Sequence, residues 1–152
     1  MDMLNVGDLA PHFEAKIQDG TVIKLSDFKG KKVVLFFYPK DNTPGCTAQN
    51  CSLNEKVTVF NDRNIELIGV SPDSEVSHLK FIGKYNLKQN LIADTEKELA
   101  KLYNVWGIKK MYGKEYEGIF RTTFIIDEQG IIQDIIQKVD TKNHAEQVLS
   151  KL

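Results

Sequence analysis

Both cysteines of the 152-residue chain lie in one stretch, TPGCTAQNC at 43–51. A cysteine acts as nucleophile or metal ligand only as the thiolate, so the question is whether these neighbours favour that form. Thr43 is a good N-cap residue, and Pro44 suits the first helical position, where a missing N–H costs nothing. Gly45 is then second and Cys46 third. A capping box would put Glu or Gln at that third position; this chain puts a thiol there. Sulfur in a first helical turn meets unpaired backbone N–H groups and the positive end of the helix dipole, and both favour the anion. Gly45 leaves space for a small molecule to approach. The order of residue types predicts a reactive Cys46.

Cys51 follows five residues later, too far for a Cys-x-x-Cys redox motif and unusual for a zinc knuckle. At about 100° per residue, Cys46 falls on the stripe of Leu53, Val57 and Phe60, facing a sheet, and Cys51 falls roughly 140° away on the polar side near Glu55 and Thr58. Their Cα atoms in an intact helix would be about 8.6 Å apart, whereas a disulfide needs less than about 7 Å. A Cys46–Cys51 disulfide therefore requires the first turns of the helix to unwind. On spacing alone, two inert core cysteines remain an open alternative. The cap, the proline, the glycine and a buried strand upstream favour a two-step thiol cycle, with Cys46 attacking and Cys51 resolving.

The elements that must position this stretch are legible in outline. Val33 to Tyr38 (VVLFFY) is a continuous β-branched and aromatic run, as expected of a strand buried on both faces, and Pro39 ends it. Helical periodicity runs over 44–61. Ile65 to Val70 reads as a second buried strand, followed by a helix from Ser74 to Tyr85, a short strand at Leu91 to Ala93, and a helix through Leu99 and Tyr103 capped by Asp94-Thr95. Thr122 to Ile126 and Ile131 to Gln137 flank a hairpin turn at 127–130, and a last helix is expected over Thr141 to Leu152. Near the N-terminus, Phe13 to Ile17 and Thr21 to Leu25 predict a small hairpin around Asp19-Gly20. The order is that of an α/β, thioredoxin-like fold: a mixed central sheet flanked by helices, with an N-terminal β-hairpin extension. In such sheets a site forms where a central strand ends and a helix begins, here Tyr38 to Cys46.

Composition narrows the function classes. The length suits a single domain over 1–152. The formal net charge of −1 offers no broad field for nucleic acid or an anionic membrane. No apolar run is long enough to cross a bilayer, and MDMLNVGDLAPHFEA lacks the basic and apolar regions of a signal peptide. The expectation is a soluble, cytoplasmic protein, in which paired thiols are catalytic, redox-active or metal-binding rather than a permanent staple.

YPKDNTPGCTAQNC closely resembles the active-site segment of the peroxiredoxins, in the bacterioferritin-comigratory-protein or Q-type subfamily. The resemblance continues through YNVWGIKKMYGKEYEGIFRTTFIID (103–127) and covers nearly the whole chain from GDLAPHFEA onward. It implies a thioredoxin-dependent thiol peroxidase acting on hydrogen peroxide and organic hydroperoxides. By that resemblance Cys46 is the peroxidatic cysteine and Cys51 the resolving one. Thr43 hydrogen-bonds the peroxide, Pro39 shields the pocket, and Arg121 holds the thiolate and the peroxide oxygens. Thioredoxin or a similar dithiol is the implied donor, no metal or organic cofactor is required, and a monomer is expected. Gln49 stands where many relatives carry Glu, which should tune the site rather than disable it.

Other residues read more plainly. His12, His78 and His144 are expected to be surface or capping residues, and Asp94 and Asp127 turn and cap residues. Tyr103, Trp106, Tyr112, Tyr116 and Phe120 are expected to pack, with a share of them available as an apolar wall beside Arg121. Two competing functions fit less well. A thioredoxin-type oxidoreductase wants Cys-x-x-Cys and a later proline, but no proline follows Pro72. A zinc module needs four ligands, and only two thiols are present.

Overall fold

A computed structural model describes residues 4–152. Its centre is β3 (Lys32–Phe37), whose side chains alternate between the two faces of a five-stranded sheet. Val33, Leu35 and Phe37 enter one apolar cluster, while Val34, Phe36 and the following Tyr38 enter the other. A strand with both faces buried has no use for alternating polarity, which is why its sequence is an unbroken apolar run.

The sheet order is β5-β4-β3-β8-β9. β4 (Ile65–Ser71) and β5 (Asn90–Ala93) run parallel to β3, and β8 (Thr122–Ile126) runs antiparallel to it. β9 (Ile132–Ile136) closes the far edge. One face is covered by α1 (Pro44–Glu55), α2 (Val57–Asp62), α3 (Glu75–Tyr85) and α5 (His144–Leu149), which contribute Leu53, Phe60, Phe81, Ala145 and Val148. The other is covered by α4 (Glu98–Leu102) and the N-terminal hairpin of β1 (Glu14–Lys16) and β2 (Val22–Lys24). This is the expected mixed α/β arrangement with its hairpin extension.

Three boundaries differ from expectation. The helix over 44–61 is two helices, interrupted at Lys56, whose backbone (φ −108°, ψ 15°) leaves the helical region. The last helix is shorter than Thr141 to Leu152: a 3-10 turn at Thr141–Asn143 precedes α5. A further antiparallel hairpin, β6 (Trp106–Met111) with β7 (Lys114–Ile119), occupies a stretch whose strands the sequence did not announce. Most of it is exposed, so it lacks apolar alternation. Its two-residue turn has positive φ at both Tyr112 (52°) and Gly113 (77°), the backbone of a type I′ turn with a tyrosine where asparagine or aspartate is usual.

Candidate active site

β3 delivers the chain to Pro39 at the carboxyl end of the sheet, and α1 starts five residues later. Thr43 adopts the extended backbone of a cap residue (φ −97°, ψ 156°), but its side chain does not cap the helix. Its Oγ1 instead donates to the Lys40 carbonyl at 2.8 Å. This corrects the expected side-chain cap and has a chemical consequence. The amides of the first turn take no bond from the Thr43 side chain, and the Thr43 oxygen, its proton spent, presents lone pairs.

Cys46 is buried, with 1% exposure, and belongs to the helix-side core with Leu53 and Phe60. Val57 packs at the edge of the same cluster, so the expected stripe is observed. Arg121 arrives from a different part of the chain. The pairing of Phe37 with Thr122 brings the start of β8 against the end of β3, which places Arg121 beside the first turn of α1. Its Nη2 donates to Cys46 Sγ at 3.4 Å, and its Nη1 donates to Gln49 Oε1 at 2.6 Å. Gln49 is wholly buried, and its Nε2 has no hydrogen-bond partner among the described residues. Gly45 turns out to make room for the guanidinium: a Cβ there would sit 3.2 Å from Arg121 Nη2. Pro39 is half-buried at the strand end.

Cys51 lies in different surroundings. Both thiols are free, as an intact helix requires. Cys51 is not on a fully polar side as expected; it is half-buried against the edge of the same core cluster. It borders a shallow depression of about 490 Å³ lined also by Asn42, Thr43, Pro44 and Tyr85. Burial, and then the charge of Glu55, push its thiol above the usual range.

The histidine expectation fails at two of three positions. His12 is exposed, whereas His78 and His144 are completely buried. His78 Nδ1 faces Asp41 Oδ2 at 2.7 Å and its Nε2 faces the Ile92 carbonyl at 2.9 Å. Both ring nitrogens thus face acceptor groups, a backbone carbonyl and a carboxylate. Asp41 also accepts from Tyr38 Oη at 2.6 Å and from Ser77 Oγ at 2.8 Å. Burial first, then the charge of Asp41, raise the Tyr38 hydroxyl well above its ordinary range. This network pins the loop that leads into α1. His144 pairs with Thr123 Oγ1 and Gln147 Oε1, both at 2.8 Å. Its ring is held below the usual 6.5, by burial and by nearby Arg121, against opposing effects of Gln147 and Asp140. Asp41, Ile92 and Thr123 are distant in sequence from the histidines they meet, and no local pattern marks them.

The aromatic group divides. Tyr103 is core, while Tyr112 and Tyr116 are exposed on the second hairpin and Phe120 just after it. Tyr103, Trp106 and Phe120 line a cleft of about 420 Å³ that touches Arg121 but is not lined by Cys46. Asp94 and Asp127 behave as expected: Asp94 accepts from the Leu99 and Ala100 amides, and Asp127 from those of Gln129 and Ile131. Among the described residues, no three His, Cys, Asp or Glu side chains gather as a metal site. None of their helices is long and apolar enough to cross a membrane.

Residues 6–135 match the AhpC/TSA family. The chain is a peroxiredoxin of that family. It is 45% identical over 149 residues to peroxiredoxin Bcp of Bacillus subtilis, covering 98% of this chain and 95% of that one. Identity to Escherichia coli peroxiredoxin Bcp is 37% over 152 residues, covering 100% and 97%. Among solved structures it is similar to a cysteine-to-serine mutant of Xylella fastidiosa PrxQ, with a TM-score of 0.93 and 34% identity over 99% of this chain and 96% of that one. Another is the bacterioferritin comigratory protein of Xanthomonas campestris, with a TM-score of 0.86 and 33% identity over 91% and 88%. The fold of this peroxiredoxin is thus thioredoxin-like, and its activity is that of a thiol peroxidase, with a peroxide as substrate and a reductant as partner.

Proposed function

We propose that this peroxiredoxin reduces hydrogen peroxide and organic hydroperoxides through Cys46, resolves the product with Cys51, and is recycled by thioredoxin or a similar dithiol. The observation that carries the reading is the guanidinium of Arg121, held by Gln49 at 2.6 Å and aimed at Cys46 Sγ at 3.4 Å. Attack on an O–O bond needs a thiolate and stabilisation of the departing RO⁻. Arg121 supplies fixed donors and a permanent charge for both. Gln49 orients it without neutralising it, as a carboxylate in the same place would. Thr43 Oγ1, already donating to Lys40, accepts the O–H of the bound peroxide, and Pro39 limits water at the strand end.

In the first step Cys46 sulfur attacks the terminal peroxide oxygen, the O–O bond breaks, and RO⁻ leaves as ROH after protonation. The product is Cys46 sulfenic acid. In the second step the helix start unwinds, Cys51 sulfur displaces the hydroxyl as water, and a Cys46–Cys51 disulfide forms. The external dithiol then exchanges through a mixed disulfide and restores both thiols. No metal or organic cofactor takes part, and the unit proposed to work is a single-domain monomer in the cytoplasm. The similar Xanthomonas protein has alkyl peroxide reduction activity, which supports organic hydroperoxides as substrates here. The apolar cleft beside Arg121 does not, because Cys46 does not line it.

A coupled assay with thioredoxin, comparing hydrogen peroxide with several alkyl hydroperoxides, tests the reading. Sustained turnover that requires both cysteines is expected. Turnover with thioredoxin that survives Cys51→Ser would remove the resolving role.

A further inference from the structure

Asn50, in the turn of α1 between the two cysteines, and Gln89, between α3 and β5, form a pair that the chemistry above does not use. Their exposures are 0% and 4%. Asn50 Nδ2 donates to the Cys46 carbonyl at 3.0 Å. Gln89 Nε2 in turn donates to the Asn50 carbonyl at 3.0 Å and to Asn50 Oδ1 at 3.2 Å. One turn later the pattern repeats nearer the surface. Asn54 Oδ1 accepts from the Lys88 amide at 2.8 Å, and Asn54 Nδ2 donates to the Asn86 carbonyl at 3.1 Å. Residues 86–89 thus hold α1 at two successive turns, and the inner hold reaches through Asn50 to the backbone of Cys46.

This hold is not explained by stability. Among the described residues Gln89 Oε1 is buried with no hydrogen-bond partner, and an unpaired buried acceptor is unfavourable, so an apolar pair filling the same space would avoid that penalty. What the pair does oppose is movement. Cys46 and Cys51 cannot bond while α1 is intact, and unwinding the turn between them pulls the Asn50 carbonyl and side chain away from both Gln89 and Cys46. Gln89 is then left with its donors as well as its acceptor unpaired.

We propose that Asn50 and Gln89 form a positioning latch that sets how long oxidised Cys46 stays in the folded pocket before Cys51 reaches it. The proposal rests on the reading of Cys51 as the resolving thiol. Two steps compete for the Cys46 sulfenic acid. With the latch open, Cys51 sulfur attacks Cys46 sulfur, the S–S bond forms, the S–O bond breaks, and hydroxide leaves as water with the proton released by the Cys51 thiol. With the latch closed, a second peroxide transfers an oxygen to the sulfur, giving sulfinic acid and ROH. The latch sets the partition between them without touching the first oxidation.

The test is rapid-quench mass spectrometry of full-length protein after a peroxide pulse, comparing wild type with Gln89→Met, a near-isosteric change that removes the donors. First-step oxidation should keep its rate, disulfide formation should speed up about three- to tenfold, as expected for losing one or two hydrogen bonds, and the sulfinic fraction at high peroxide should fall. Asn50→Leu should shift the partition the same way. The double variant should gain less than the two single gains combined, because both substitutions remove the bond between Gln89 and Asn50 Oδ1. An unchanged disulfide rate in Gln89→Met overturns the latch, as does additivity, and so does a matching slowdown of both steps, the mark of a merely structural role. If wild type forms no Cys46–Cys51 disulfide, the resolving role itself fails and the latch with it, an outcome distinct from the others.

Discussion

The two cysteines sit on one helix and live in opposite conditions. Cys46 is buried in the core, with a guanidinium 3.4 Å from its sulfur and a glycine beside it that admits that guanidinium. Cys51 is half-buried at the rim of the same core, its thiol pushed upward by burial and by Glu55. On the proposed reading, the difference teaches that nucleophile and resolver need different things. The first needs an organised pocket in the folded state. The second needs to stay a quiet thiol until the helix moves, and a protonated thiol at the rim of the core meets that need.

The contrast breaks first at Cys46. Replacing it by serine should lower peroxide consumption by at least about 10³-fold, since the remaining thiol, Cys51, is pushed towards its protonated form; a direct peroxide assay reads this. Cys51→Ser should act on the other half alone: one oxidation of Cys46 at the wild-type rate, then no sustained thioredoxin-linked cycling, visible as a sulfenic acid that persists by mass spectrometry. In wild type, disulfide formation should accelerate as pH rises above neutrality, because the upward shift leaves Cys51 protonated there. Arg121→Lys keeps the charge but loses the fork that spans Gln49 and Cys46, and should slow the first oxidation by about 10²-fold in a stopped-flow trace.

Gly45→Ala sharpens the comparison more gently. Its Cβ would lie 3.2 Å from Arg121 Nη2, so the guanidinium must shift, and the first step should slow by about tenfold while disulfide formation changes little. The smallest effect concerns His144, buried on the α5 side and facing Arg121 and Asp140. Its folded pKa lies below 6.5, so the unfolded chain takes up the proton first as pH falls. Its contribution to stability is present above 6.5 and is lost as pH drops through that value towards the folded pKa. Denaturation midpoints measured across that window should fall with pH, and His144→Gln should flatten the slope.

Legibility followed the range of the interaction. The buried strand, the helix start and the hairpin at 127–130 were readable because each depends on residues a few positions apart. The second hairpin was not, because exposure removed its apolar alternation and Tyr112 disguised its turn. Arg121 was reachable from the resemblance of its surrounding motif, not from local pattern, since it meets Cys46 across 75 positions. His78 with Asp41 and His144 with Thr123 carried no signal at all, as their partners lie 37 and 21 positions away.

The sequence alone determined a thiol in the first turn of a helix and a second thiol that cannot reach it within the helix, because helix starts and helical geometry are local. Tertiary structure decided what surrounds each sulfur. The register of β8 against β3 brought Arg121 to Cys46, Gly45 admitted the guanidinium rather than only a substrate, and the loop at 86–89 closed on Asn50. These are contacts between segments far apart in the chain, specified by the packing of whole elements, and no short stretch encodes them.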